Sequence, residues 1–260
     1  MPLTPARFSS GVSTARTPAD MFGNYPRPMP PAANYYENDF NTYAAGDWTI
    51  ISTGSNALSS TLGGALLLTT SASAGAQAIE LATQSFAFTP GYQTWFSVNV
   101  NVTSATSLTS FIIGLVAGTS SVPTSGVYFT KAAASLNVNA VLNKAGSLTT
   151  LTSVTTLTIS TPISLGIYYD GKPTSSLYFY SSTGLTGATV ATPSPTAFGA
   201  PPIYGGVRVA SASNDGLNPN PLTNLPTVLL SPSVQVATNT TTVATMLLDY
   251  MFCACEINRF

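Results

Sequence analysis

Chemistry needs side chains that ionise, ligate or attack, and this chain holds few of them. Among 260 residues, 7% are charged, the net charge is −1 and there is no histidine. Ser-His-Asp catalysis, Cys-His catalysis and every His-ligated metal site are thereby excluded. The two cysteines, Cys253 and Cys255, would share one face of a strand, and a disulfide between them would be strained. A zinc site would need two further Cys or His ligands. Buried, reduced thiols are expected. Glycoside hydrolysis with retention needs two carboxylates about 5–5.5 Å apart. Glu37-Asn38-Asp39 is the nearest pairing, followed by Asn41 rather than a further acid, and the other acids are scattered singly. Asn214-Asp215-Gly216-Leu217-Asn218 is the best calcium candidate, but one carboxylate in a Pro/Asn-rich loop reads as a turn. Gly63-Gly64 precedes a strand, so no phosphate loop is present. Exposed aromatics such as Tyr128, Tyr178 or Tyr180 could stack on a sugar, although strand aromatics are usually core or interface. Asn101-Val102-Thr103 and Asn239-Thr240-Thr241 match the glycosylation pattern by chance if the chain is not secreted. The expectation is a chain that is not an enzyme and needs no metal or cofactor.

The elements that hold these groups follow from composition. Hydrophobic residues make up 44%, which excludes wholesale disorder. Charge is far below the roughly 25% of an ordinary soluble domain, so the polar surface is built of Ser, Thr, Asn and Gly. With β-branched residues these favour strands and turns. A net charge near zero gives no grip on nucleic acid. An uncharged, tyrosine-bearing surface predicts a homo-oligomer, trimer first and dimer second. Residues 1–7 lack the apolar run of a signal peptide. No segment reaches the roughly 20 apolar residues of a membrane span. Val243 to Ile257 is short, carries Asp249 and reads as a buried strand. The expected setting is soluble, made in a cytoplasm, with no membrane.

Residues 1–33 form a distinct unit. Pro2, Pro5, Pro18, Pro26, Pro28, Pro30 and Pro31 oppose regular structure. Arg7, Arg16 and Arg27 stand there against the single acid Asp20, while Phe8, Met21, Phe22, Tyr25 and Met29 add apolar anchors. An extended arm that orders on a partner is expected. From residue 34 to 260 the period becomes two. Thr94 to Val102 alternates, with Phe96, Val98, Val100 and Val102 facing one way and Ser97, Asn99 and Asn101 the other. Ser110 to Ala117 is nearly all apolar and predicts a central strand. Leu136, Val138, Ala140 and Leu142 are expected inward. Further strands are expected at Trp48–Ile51, Gly64–Thr70, Gly126–Thr130, Leu157–Ser160, Ile163–Asp170, Ser176–Ser181, Tyr204–Val209, Val228–Leu230 and Val234–Val236. Asp170-Gly171-Lys172-Pro173 predicts a surface hairpin turn. Tyr178 and Tyr180 should lie opposite Leu177 and Phe179. Residues 192–202 and 211–226 read as long loops. Short strands at this spacing predict an antiparallel β-sandwich.

Several segments together resemble a known group: Tyr36-Glu37-Asn38-Asp39-Phe40-Asn41-Thr42-Tyr43 with Gly46-Asp47-Trp48-Thr49; Gly63 to Thr70; Leu165-Gly166-Ile167-Tyr168-Tyr169-Asp170-Gly171; and Leu248-Asp249-Tyr250. They resemble concanavalin A-like (laminin-G-like) jelly-roll proteins in virion structural modules of tailed phages. Gly23-Asn24-Tyr25 in the Pro-rich arm is similar too. The resemblance implies an all-β jelly roll and a capsid decoration (cement) protein that binds the major capsid protein at the virion surface. The arm residues Arg7, Phe8, Arg16, Phe22, Tyr25 and Arg27 are then the expected capsid contacts. The alternative is a glycan- or receptor-binding, lectin-like head-fibre or tail module. Jelly-roll glucanases carry their acids on a Glu-x-Asp-x-Glu strand, and Asn41 stands where the last Glu should be.

Overall fold

The computed structural model describes residues 33–256 apart from 53, 60–63, 73, 84, 105–108, 119–122, 173–175, 184–206 and 214–221. The described residues form two antiparallel sheets, as the alternation predicts. One sheet contains β1 (Ala33–Asn38), β3 (Ser55–Leu58), β4 (Leu66–Thr69), β6 (Thr94–Val102), β11 (Ile163–Tyr169), β12 (Ser176–Thr183), β13 (Val207–Ser213) and β15 (Thr245–Glu256). Its order is β13-β12-β11-β6-β15-β4-β3, with β1 also on β15. The other sheet runs β10 (Ser147–Thr156), β9 (Asn137–Lys144), β8 (Ser125–Lys131), β7 (Thr109–Ala117), β14 (Ser231–Thr238), β5 (Gly75–Leu81) and β2 (Trp48–Ser52).

The core lies between the sheets. Phe96, Val98, Val100 and Val102 face Ile113, Leu115, Phe129 and Val236 in one cluster, with both cysteines inside it as free thiols. Burial pushes both thiols up, Cys253 well above its ordinary value. The 12-residue β15 organises the larger sheet. One side of it pairs with β6; the other is shared between β4 near its start and β1 from Met251 to Glu256. A bulge at Asp249 separates the two halves. β7 takes the centre of its sheet, as its apolar run requires.

Four expectations are corrected. Leu157 to Ser160 is not a strand: Leu157 plugs the core and its N–H meets Leu136 O at 2.9 Å before the chain turns. Leu136 itself lies outside β9 and is exposed. Val228 and Leu229 are exposed, and Leu230 makes only an isolated bridge with Phe86. The turn at Gly171 is not free on the surface. Gly171 is buried with φ +63°, and a Cβ there would stand 2.5 Å from Tyr92 O. Asp170 Oδ1 accepts from the Ser176 N–H at 2.8 Å and the Lys172 N–H at 3.2 Å, which closes the turn.

Candidate functional site

Each sheet has an outer face, and pleating decides what stands on it. On the seven-stranded sheet one row crosses every strand in register: Thr49, Glu80, Ser233, Gly114, Tyr128, Val141, Thr150. The alternate row, from Ile79 through Val234, Ile113, Phe129 and Ala140 to Leu151, enters the core, so the Glu80 row points away from it. Glu80 and Tyr128 are three strand spacings apart, about 14 Å between Cα atoms. Between them stand only a hydroxymethyl group and a hydrogen. Gly114 is required, because a Cβ would lie 2.7 Å from Tyr128 Cβ. The result is a stretch of low side-chain bulk, the trough, with Glu80 on one side and Tyr128 on the other, and Glu80, Ser233, Gly114 and Tyr128 are all buried.

The trough has unusual electrostatics. Glu80 is 6% exposed, and burial raises its carboxyl from 4.5 to about 7. The Ser231 hydroxyl nearby pulls it partly back down without meeting hydrogen-bond geometry. Near neutral pH, Glu80 is therefore both a hydrogen-bond donor and an acceptor. Burial also raises the Tyr128 phenol, with the Asn143 amide acting in the opposite direction. Asn143 is fixed by donating to Pro123 O at 2.6 Å and accepting from the Gly146 N–H at 2.9 Å. Gln235, on the next outward position of β14, adds a second buried amide.

The outer face of the eight-stranded sheet differs. One row is Ser211, Tyr178, Tyr168, Trp95, Ala254, Tyr35. Tyr168 stacks on Tyr178 at 6.0 Å and tilts against Trp95 at 5.6 Å. Phe252 meets Tyr35 edge-on at 5.7 Å. Trp95, Tyr168, Tyr180 and Phe252 form a cluster separate from the core, each 2% exposed or less.

The residues singled out in sequence scatter over this frame. Tyr128 lies in the trough, whereas Tyr178 and Tyr180 belong to the aromatic face opposite; the expectation of exposed rings is corrected, because Tyr128 and Tyr180 are buried and Tyr178 half-buried. Glu37 and Asp39 do not form a catalytic pair. Glu37 accepts from the Tyr35 hydroxyl and from the Tyr250 hydroxyl at 2.8 Å. Asp39 is held by the Asn41 amide at 2.6 Å. Asp249 is raised by burial and then by the charge of Asp39. Among the described residues no cluster of three metal-ligating side chains occurs. Arg7, Phe8, Arg16, Phe22, Tyr25 and Arg27, and the Asn214–Asn218 loop, lie outside the described residues. Glu80, the most perturbed carboxyl of the trough, is missed by sequence reasoning. Its only signal is a lone acid in the uncharged run of β5.

No family profile matches the chain, and no curated protein matches it in sequence. Solved structures do match in fold. An endo-1,3-β-glucanase from Streptomyces sioyaensis superposes with a TM-score of 0.58 at 12% identity, over 89% of this chain and 100% of that one. Peanut lectin gives 0.55 at 9% identity, over 88% and 99%. An endo-β-1,4-glucuronan lyase from Trichoderma reesei gives 0.50 at 10%, over 86% and 95%. The fold is the jelly roll of lectins and glucanases. The expectation of a chain that is not an enzyme is corrected by this finding: two of the three are enzymes by name, and catalysis is built on the architecture this chain shares.

Proposed function

We propose that this protein is a surface component of a tailed-phage virion whose jelly roll engages a glycan chain in the trough between Glu80 and Tyr128. The observation that carries the glycan reading is the in-register row Glu80-Ser233-Gly114-Tyr128. It combines a carboxyl that burial raises to about 7, a phenol, a hydroxyl and a glycine, and fixed polar groups around an aromatic ring suit a polyhydroxylated ligand. The lectin and glucanase neighbours support this reading at the level of fold, and the phage setting rests on the sequence resemblance. A carboxyl raised to about 7 also has the acidity of a general acid. The test is calorimetric titration with β-1,3-glucan and glucuronan oligosaccharides, with product analysis after long incubation. Saturable binding lost in Glu80→Gln and in Ser233→Trp is the expected result. Neither binding nor cleavage with any glycan would overturn the reading.

A second reading, the capsid cement protein, is favoured by the Arg and aromatic residues of the N-terminal segment, since Arg and aromatic anchors dominate protein interfaces. Here the protein, as a trimer or dimer, ties major capsid protein subunits together and the arm residues Arg7, Phe8, Arg16, Phe22, Tyr25 and Arg27 make the attachment. Co-sedimentation with empty capsids decides it: retention by the full chain and loss after replacing those six residues with Ser is the expected outcome.

A further inference from the structure

The end strand of a sheet presents a row of N–H and C=O groups that its own sheet does not use. Natural sequences guard such rows with charge, proline, bulges or shortness. Among the described residues, β3, β13, β2 and β10 end the two sheets. β3 has 4 residues and β2 has 5, while β13 contains Arg208. β10 differs: it has 10 residues and holds neither a charge nor a proline. Its Leu148 is 58% exposed, and Thr150 is exposed as well. We propose that the first half of β10, Ser147 to Leu151, pairs antiparallel with the same segment of a second copy of this chain, about a two-fold axis at Thr149, and so joins two seven-stranded sheets edge to edge.

The β9–β10 hairpin decides which groups the edge offers. Ala145 and Gly146, at φ +50° and +88°, form the turn between the paired residues Lys144 and Ser147. Positive φ at both positions is the type I′ turn, whose flanking pair exchanges both backbone hydrogen bonds. Bonding then alternates along the strand. Ser147, Thr149 and Leu151 bond to β9, and Leu148 and Thr150 turn their N–H and C=O groups to the outer edge. The second half of β10 does not continue this row. Its register shifts between Leu151 and Thr155, Ser153 stands at φ +54°, and the Ser153 N–H is taken by Asn139 Oδ1 at 2.8 Å. The bulge guards that half and leaves the first half bare.

The chemistry of the bare half fits a second copy of itself. With the axis at Thr149, Leu148 of each copy lies opposite Thr150 of the other. Both residues point their backbone groups outward, so each pair can exchange both its hydrogen bonds. No charge stands on the segment, and two copies meet without the like-charge repulsion that opposes self-pairing. Pleating places Leu148 on the outward face beside Asn143, and pairing covers part of its apolar surface with the Thr150 methyl of the other copy. The contact is isologous and consumes the edge on both copies, so it closes at a dimer instead of growing into a fibre.

Light scattering from the full chain should give twice the monomer mass. Thr150→Pro removes an N–H that the chain's own sheet does not use, and Leu148→Lys puts a charge on the edge. Each should give a monomer at unchanged circular dichroism, while Leu58→Lys, on the end strand β3, should remain a dimer. A parent that is monomeric or trimeric, or a dimer that survives both β10 changes in folded variants, would overturn the proposal. Hydrogen exchange on the unmodified chain tests it without relying on any variant. The Leu148 and Thr150 amides should exchange several-fold more slowly in concentrated protein than after dilution, whereas the Thr149 and Leu151 amides, already bonded to β9, should change little. Equal rates at both concentrations for Leu148 and Thr150 would equally overturn it.

Discussion

The two outer faces of this sandwich are made by the same alternation yet hold opposite chemistry. On the eight-stranded sheet the outward rows hold Trp95, Tyr168, Tyr180 and Phe252, rings that are buried as deeply as the core itself. On the seven-stranded sheet the outward row holds Glu80, Ser233, Gly114 and Tyr128, with little bulk at its centre. Burial arises differently in the two places. Large rings fill the outward rows of one sheet; on the other, the Glu80 row is nearly as buried with far less bulk. The first face is a second aromatic cluster; the second is a row of small and polar side chains in which burial raises the Glu80 carboxyl.

The widest separation between the faces should appear in stability. Trp95→Ala should cost about 3–5 kcal/mol, the range for deleting a fully buried large aromatic. Val141→Ala, on the trough side, should cost about 1–2 kcal/mol from lost burial alone. Chemical denaturation of both variants measures the difference. Equal costs would mean that the rings of the eight-stranded sheet contribute no more packing than the small side chains opposite. Gly114→Val comes next, at up to about 3 kcal/mol, because the new side chain meets backbone that cannot move without parting β7 from β8.

Glu80 supplies a pH test of the same contrast. Its folded pKa, about 7, lies above the unfolded value near 4.5. The folded state therefore binds the proton more tightly, and this contribution is fully present below 4.5 and lost as pH rises through 7. Stability should fall by on the order of 2 kcal/mol across that window, and Glu80→Gln should flatten the curve. Lys131 acts with opposite sign at higher pH. It is buried at the edge of the core, donates to Thr109 O and Ala132 O, and burial lowers it from 10.5 to about 8. Stability should rise as pH climbs from 8 toward 10.5. Thermal melts of the parent, Glu80→Gln and Lys131→Met from pH 4 to pH 10 separate the two effects.

How far each face could be read in the sequence follows from its packing. The alternation of the aromatic sheet was legible, since Leu177 and Phe179 alternate with Tyr178 and Tyr180, and Phe96 to Val102 with Ser97 to Asn101, as the structure has them, but the burial of its outward rings was not. The trough was not. β5, Gly75–Leu81, is mostly Gly, Ala, Gln and Glu, with Ile79 and Leu81 near its end, a composition of weak strand propensity, and it becomes a strand because it lies between β14 and β2. Tertiary placement overrode local preference, so Glu80 went unmarked. β10 escaped for another reason. It is Ser/Thr-rich, mostly exposed and pairs only with β9 in its sheet, so no apolar alternation announces it. Ala33–Asn38 was divided by the expected arm boundary at residue 33, although its pairing with β15 begins at Ala33.

The smallest expected effect is the most selective for the trough. Tyr128→Phe keeps the ring and its place beside Gly114 and removes one hydroxyl. Tyr128 is 6% exposed and its phenol adjoins Asn143, whose own bonds to Pro123 O and the Gly146 N–H remain after the change. Stability should therefore move by no more than about 1 kcal/mol, the net worth of one hydrogen bond. If a sugar hydroxyl bonds to that phenol, glycan affinity should weaken by about five-fold, the same energy expressed as a dissociation constant. The equivalent change on the other face, Tyr180→Phe, removes a hydroxyl from the covered cluster and should leave glycan affinity untouched. Titrating both variants with the same oligosaccharide separates the faces by chemistry rather than by stability. An equal loss of affinity in both would mean that the glycan does not discriminate the trough from the aromatic face, and that Glu80 and Tyr128 do not define its site.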